Sequence, residues 1–368
     1  MKASGHIAAG MLLALTVVSA VGLAQRQPAR APNQTATETS AEATRRIVAA
    51  AQALVATLDE AGRAKVQFPL EGPQKARWSN LPSPIFQREG LRIADLTPTQ
   101  RDAVRTLLTT ALSRQGYEKV EAIMQGDEVL RQAQSANGPG GAQPGGRGRG
   151  GPGGAGGGVS FGKDQYYVAF VGTPSVTQPW MLQFGGHHLA INLTLGGSQA
   201  SMTPSLPAAQ PATYTIEGRT VRPLGAENDK AFALINALDS GQRSQAILSY
   251  RVADLVLGPG QDGRTIQPEG IRASALTAPQ QAMLLDLARE WAGIMPDAYA
   301  ATRMGEIKAN LPETYFAWSG PTTNGSAAYF RIQGPTVVIE YAPQGGVDHI
   351  HTIYRDPTND YGARFASK

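Results

Sequence analysis

The chain resembles itself, and this constrains its fold more than any other feature. Ala53-Leu54-Val55-Ala56-Thr57-Leu58-Asp59 resembles Ala233-Leu234-Ile235-Asn236-Ala237-Leu238-Asp239, and Arg63 and Arg243 keep the same spacing of 180. Glu89-Gly90-Leu91-Arg92 matches Glu269-Gly270-Ile271-Arg272 at that spacing, as do Leu96-Thr97 and Gln100 with Leu276-Thr277 and Gln280. Farther along the spacing is 148: Tyr167-Val168-Ala169-Phe170 and Gly172 stand against Tyr315-Phe316-Ala317-Trp318 and Gly320. Gly186 then falls on Gly334, Ile191 on Ile339 and Asn192 on Glu340. A glycine-rich stretch at 136–158, present in the first half only, accounts for most of the change in spacing. Self-similarity of this kind predicts two copies of one supersecondary unit.

Each copy reads as helix, loop, helix, then strands. Residues 42–64 carry Ile47, Val48, Ala51, Leu54, Val55 and Leu58 at helical spacing. Thr97 has the chemistry of an N-cap, with Pro98 at the first helical position and Gln100 closing a capping box, and Thr277 with Gln280 repeats it. Val, Ile, Tyr and Phe between Gly and Pro predict strands at Tyr166–Val171, Trp180–Phe184, Leu189–Thr194, Tyr315–Trp318, Ala328–Gln333 and Val337–Tyr341. The expected fold is α+β: two pseudo-symmetric helix-helix-strand halves packed into one domain with antiparallel strands. The domain is placed at 42–368, built of repeats at about 42–215 and 222–368.

Residues 1–24 read as a secretory signal peptide, with Lys2 as the positive end, an apolar run from Ile7 to Leu23 and small residues before Gln25. Residues 25–41 read as a disordered tether. The insert at 136–158 buries too little apolar surface to order itself and reads as a flexible loop. These features predict a bacterial periplasmic or secreted protein with no stable membrane insertion after cleavage. The net charge of +4 falls to about +1 without Lys2, Arg147 and Arg149, which removes the basic stripe that a nucleic-acid partner requires. No Cys occurs among the 368 residues, which excludes disulfides, thiolate nucleophiles and Cys-type metal sites.

Five His are few enough that position carries meaning. Outside the leader, all lie in two motifs, Gly185-Gly186-His187-His188-Leu189-Ala190-Ile191-Asn192 and Asp348-His349-Ile350-His351-Thr352-Ile353-Tyr354-Arg355-Asp356. On a strand, alternate side chains share a face. His349 and His351 then point the same way, as a two-imidazole metal site requires. In the first motif His188 and Asn192 share a face, while His187 falls on the apolar one. The expected metal ligands are therefore His188, His349 and His351, with Glu340 as fourth ligand or general base; Asp348 is a further candidate carboxylate. His187, Asn192, Asp356 and Asp360 are expected to support them, and Arg355 is a candidate catalytic residue for an anionic group. Imidazole suits zinc, copper and iron, and three ligands leave a position open to water or substrate. The alternative is that the imidazoles hydrogen-bond Asn192, Glu340, Asp356 and backbone and only knit the halves together. Gly172-Thr173-Pro174-Ser175 is not a nucleophile elbow, because Gly-x-Ser-x-Gly is absent there, and no zincin helix or P-loop is present.

The Gly-His-His-Leu-x-x-Asn block, the Tyr329–Tyr341 block and His-Ile-His-Thr-x-x-Arg-Asp followed by Asp-Tyr-Gly resemble the bacterial domain-of-unknown-function family 3500. The resemblance covers roughly residues 45–365 and extends to the helix entry after Gly90. It implies export and assigns no particular activity. The motif positions carried over are His187, His188, Asn192, Glu340, His349, His351, Arg355, Asp356 and Asp360. The glycine-rich insert departs from the pattern. So does the end at Lys368, where similar proteins run on to a further His.

Together these readings predict an exported metal-binding protein. Its expected chemistry is that of a metal-dependent hydrolase, favoured over an oxidoreductase, using zinc or copper at a His-based site between the halves. The competing expectation is a non-catalytic module for a small extracytoplasmic ligand, with structural histidines.

Overall fold

The computed structural model describes residues 38–136 and 159–365. The expected leader at 1–24, the expected tether as far as residue 37 and the glycine-rich stretch at 137–158 lie outside the described residues. In chain order the chain forms helices α1 (Ser40–Ala56) and α2 (Glu60–Val66), then strands β1 (Gln67–Phe68) and β2 (Leu91–Arg92). Helices α3 (Pro98–Ala111) and α4 (Arg114–Ala136) follow, then strands β3 (Tyr167–Val171), β4 (Trp180–Gly186), β5 (Leu189–Gly196), β6 (Gln199–Ser201), β7 (Leu206–Pro207), β8 (Tyr214–Ile216) and β9 (Arg219–Val221). Helices α5 (Gly225–Ala237) and α6 (Ser240–Ala246), strand β10 (Ile271–Arg272) and helices α7 (Ala278–Ala292) and α8 (Asp297–Ala309) come next. Strands β11 (Tyr315–Ser319), β12 (Tyr329–Gly334), β13 (Val337–Pro343) and β14 (Ile350–Arg355) complete the order. The class is mixed α+β, with sheets dominated by antiparallel pairs.

Local chemistry sets the helix boundaries. Thr39 and Glu42 form a capping box that starts α1 at Ser40, so the last residues assigned to the tether are helical. The single helix expected over 42–64 is two helices. Asp59 accepts a hydrogen bond from Gly62 N and begins α2, breaking the run after Thr57. The capping boxes at Thr97 with Gln100 and at Thr277 with Gln280 both form.

One sheet runs β1-β3-β4-β5-β6, with β2 also on β3 and β7 also on β5; another runs β10-β11-β12-β13-β14. Alternation gives each sheet one face of large apolar side chains. Phe170, Leu182, Phe184, Ile191 and Leu193 pack on Ile47, Leu54, Leu107 and Leu108 of α1 and α3. Phe316, Trp318, Phe330 and Ile339 pack on Phe232, Leu284, Leu287 and Trp291 of α5 and α7. Residues 69–90 and 247–270 lie over the opposite faces. Gln74 Nε2 donates to Gln183 Oε1 of β4 and Gln183 Nε2 donates to Gln74 O, and Leu257 N donates to Glu340 of β13.

The short segment around β7 joins the two sheets. On one side Leu189 pairs with Pro207 and Ala190 with Leu206. On the other, Ser205 bridges Tyr354 and Ala209 bridges Ile350. This places the start of β5 two strand spacings, about 9–10 Å, from the start of β14. Trp78, Ala190, Leu206, Ala208 and Ile353 form a small apolar cluster beside this junction.

Gly270 shows why one repeated motif needs glycine. Its φ is +92°, a left-handed conformation, and a Cβ there would collide with the Phe316 carbonyl oxygen and lie 2.7 Å from Ala317 Cα. Gly270→Ala is expected to cost at least about 1–2 kcal/mol for the backbone conformation, with the collision added. Its urea midpoint, compared with that of the parent chain, checks this.

Candidate metal centre

The first histidine pair does not lie on a strand. Gly186 of β4 pairs with Leu189 of β5, so His187 and His188 are the two residues of the hairpin turn between them. Face alternation stops at such a turn, and the expected pairing of His188 with Asn192 on one strand face does not arise. His188 instead takes a left-handed φ of +61°, uncommon for a side chain of this size. Its main chain is held from both sides: His188 N donates to Asn80 O at 3.1 Å, and Ala208 N donates to His188 O at 2.9 Å. His349 precedes β14 and His351 lies within it, two residues along the same face.

These elements bring three ring nitrogens together. The Nε2 atoms of His188 and His349 stand 2.9 Å apart, as do those of His349 and His351. The potential ligand atoms of His188, His349 and His351 all lie within 4.8 Å of one another, and the group can hold a metal ion. Nitrogens on one tetrahedral zinc, each 2.0–2.1 Å from it, stand about 3.3–3.4 Å apart, so the two short approaches open and the wider separation closes when the three share an ion.

Electrostatics and proton placement favour the metal-ready form. Burial, reinforced by the neighbouring imidazoles, pushes His349 down to about 3 and holds His188 well below the ordinary histidine value. Both are neutral at physiological pH. His351 Nδ1 lies 3.3 Å from Asp254 Oδ1, which places its proton on Nδ1 and leaves a lone pair on Nε2. Burial alone would raise the Asp254 carboxyl, but above all its hydrogen bond with His351 outweighs that and holds it below its usual value. Asn80 Nδ2 donates to His351 Nε2 at 3.1 Å. With His351 Nε2 a lone pair, at most one proton can lie between the three Nε2 atoms. At least one of the two 2.9 Å approaches therefore lacks a hydrogen bond of its own. A cation accepts all three lone pairs at once. His188 Nδ1 is buried without a partner.

The other expected residues take different places. His187 donates from Nδ1 to Asp127 Oδ1 of α4 at 2.5 Å, and its ring lies 3.7 Å from that of His188. Asn192 does not meet the histidines; its Nδ2 donates to Pro204 O at 2.8 Å. Glu340 is fully buried outside the group. Val256 N and Leu257 N donate to its Oε2 at 2.8 and 3.1 Å, and Tyr329 Oη donates to its Oε1 at 3.0 Å. That carboxylate is committed to holding the 247–270 segment on β13, which corrects its expected part as ligand or base.

Arg355 is equally committed. It donates to Leu257 O and Gly258 O and pairs with Asp262 and Asp360 at 3.0 and 2.8 Å, so it offers no free fork to an anion. Asp360 also accepts from Asp356 N, and Asp356 pairs with Arg303 at 2.9 Å. Asp348 accepts from Ala212 N at 3.1 Å.

Two residues that touch the centre carry no signal in the sequence. Asp254 and Asn80 lie 97 and 271 positions from His351, in segments without regular periodicity. Arg88 also escapes a reading by pattern. Its Nη2 donates to Ser79 O, Leu81 O and Gly186 O at 2.6, 2.8 and 2.6 Å, tying the Asn80 segment to the histidine turn. Burial lowers this guanidinium to about 10.

Residues 40–363 match the family described as "Protein of unknown function (DUF3500)". No curated protein and no solved structure matches the chain.

Proposed function

Since this chain belongs to the DUF3500 family, whose description assigns no activity, we propose its function from the site itself: an exported metal-binding protein with metal-dependent hydrolase chemistry. The observation that carries the reading is the meeting of three imidazoles, from His188, His349 and His351, with their ring nitrogens turned toward one another. An all-imidazole set without thiolate suits zinc or copper(II). Three ligands leave a coordination position for water, whose pKa such an ion lowers toward neutrality. Asp254, behind His351, fixes that ring and strengthens it as a donor. The apolar run with a positive start at 1–24 supports export to the periplasm or beyond.

The two halves are read as copies of one unit. Leu91 pairs with Val168 and Ile271 with Phe316, positions that stand 180 and 148 apart along the chain. The junction at β7 then lets one histidine motif from each copy reach the same place.

A second reading has one observation in its favour: His187 and His351 each have a carboxylate partner. Under it the imidazoles are structural, and the chain is a non-catalytic binding module.

Elemental analysis of the native protein and of a His349→Ala/His351→Ala variant separates the two. About one transition metal per chain, lost in the variant, is expected. Metal-free native protein that also fails to take up zinc or copper, with a less stable variant, would overturn the metal reading.

A further inference from the structure

We infer that Asn80 is the fourth protein ligand of the centre, supplying Oδ1 after a half-turn of its side-chain amide. The inference rests on the metal reading above.

Asn80 Nδ2 stands 3.1 Å from His351 Nε2. That is close to the separation of two donors on one tetrahedral ion, about 3.3–3.4 Å. The residue is 9% exposed and its backbone cannot withdraw. Asn80 O accepts from His188 N at 3.1 Å. The carbonyls on either side, Ser79 O and Leu81 O, are both held by Arg88 Nη2, at 2.6 and 2.8 Å. Whatever enters the centre therefore meets this amide.

An ion bound by His351 takes the lone pair that Asn80 Nδ2 now uses, because an imidazole nitrogen has only one. The NH₂ group is then left without its acceptor and facing a cation. The terminal torsion of asparagine is soft and roughly two-fold. A half-turn exchanges NH₂ for the carbonyl oxygen in nearly the same position, and amide carbonyls are established ligands for hard divalent cations. The resulting donor set, three imidazoles and one amide oxygen, is electrically neutral. It leaves the full charge of the ion to act on the water of the proposed reaction, which then enters as a fifth ligand, an expansion that some catalytic zinc sites undergo in the transition state.

Calorimetric zinc titration of metal-free full-length chain tests this with wild type, Asn80→Ala and Asn80→Asp. Loss of a ligand is expected to weaken zinc binding tenfold or more in Asn80→Ala, since even supporting residues are worth 10–100-fold. Asn80→Asp keeps an oxygen in place and is expected to bind at least as tightly as wild type. If Asn80 only caps His351, its removal frees the lone pair. Asn80→Ala then binds zinc as well as wild type or better, and the inference falls. It falls also if Asn80→Asp binds no better than Asn80→Ala. Asn80→Ser replaces the alanine variant in the same comparison should the latter not fold. A wild-type chain that binds no zinc overturns the metal reading itself, a result distinct from either outcome at Asn80.

Discussion

His188→Ala is expected to lower zinc affinity more than about 100-fold while both sheets stay folded. Supporting residues around a metal are typically worth 10–100-fold, and a direct ligand exceeds them. Of the three imidazoles His188 is the most buried, at 3% exposure, and the one that belongs to the first sheet. Its removal leaves His349 and His351 as the two remaining imidazoles, both from one short segment at the start of β14. The turn itself should survive, because the bonds to Asn80 O and from Ala208 N are main-chain. His188→Gly supplies the control. At a φ of +61° glycine carries no steric penalty, so the glycine variant should be more stable than the alanine variant yet equally poor at binding zinc. Retained affinity in both would place the metal elsewhere. Calorimetry for binding and thermal unfolding for stability give the two readouts.

Lys119→Met is expected to destabilise the chain by about 3–5 kcal/mol. Lys119 of α4 is 8% exposed and pairs with Glu227 of α5, which is fully buried, and at 3.4 Å with Glu290 of α7. Burial raises the Glu227 carboxyl, and the pairing with Lys119 opposes that rise. Removing the ammonium leaves two buried carboxylates facing each other, with Lys230 still paired to Glu290 at 2.7 Å. Among the described residues Glu227 has no such second cation. Methionine fills the volume of the lysine stem, so the loss measures charge rather than packing. Lys119→Met/Glu227→Gln should recover most of it. Urea unfolding of both variants checks the pair. A single variant within about 1 kcal/mol of wild type would show that the network contributes little.

Much of the local structure was legible because short-range chemistry decides it. The capping boxes at Thr97 and Thr277 need only residues three apart. The six expected strands are found within a few residues of their expected ends, because alternating or continuous apolar runs between glycines have few other solutions. The helix over 42–64 failed at one point. Asp59 is a better cap than helix interior, and periodicity alone does not register that.

The site was legible in part. Two histidines two residues apart on a strand must share a face, and those of His349 and His351 do. Reading His187 and His188 as strand residues misplaced Asn192, because a two-residue reversal breaks the alternation. Glu340 is instructive. The register pairs it with Ile353 and pairs Ala342 with His351, so its side chain does share a sheet side with His351. Main-chain donors from Val256 and Leu257, more than 80 positions away, claim the carboxylate instead. Parity fixes the side of a sheet, and the covering segment fixes the partner.

What the sequence determined by itself is the set of elements, their caps and the few imidazoles available for chemistry, since each depends on neighbours within a turn of helix or a pleat of strand. Only the tertiary structure decided that a short strand at Leu206–Pro207 pairs with β5 while its flanking residues pair with β14. That pairing, and the folding of Asn80 and Asp254 over it, depends on contacts between residues roughly 20 to 270 positions apart. No local pattern encodes such contacts, because their free energy comes from surfaces and hydrogen bonds that exist only once both sheets have formed.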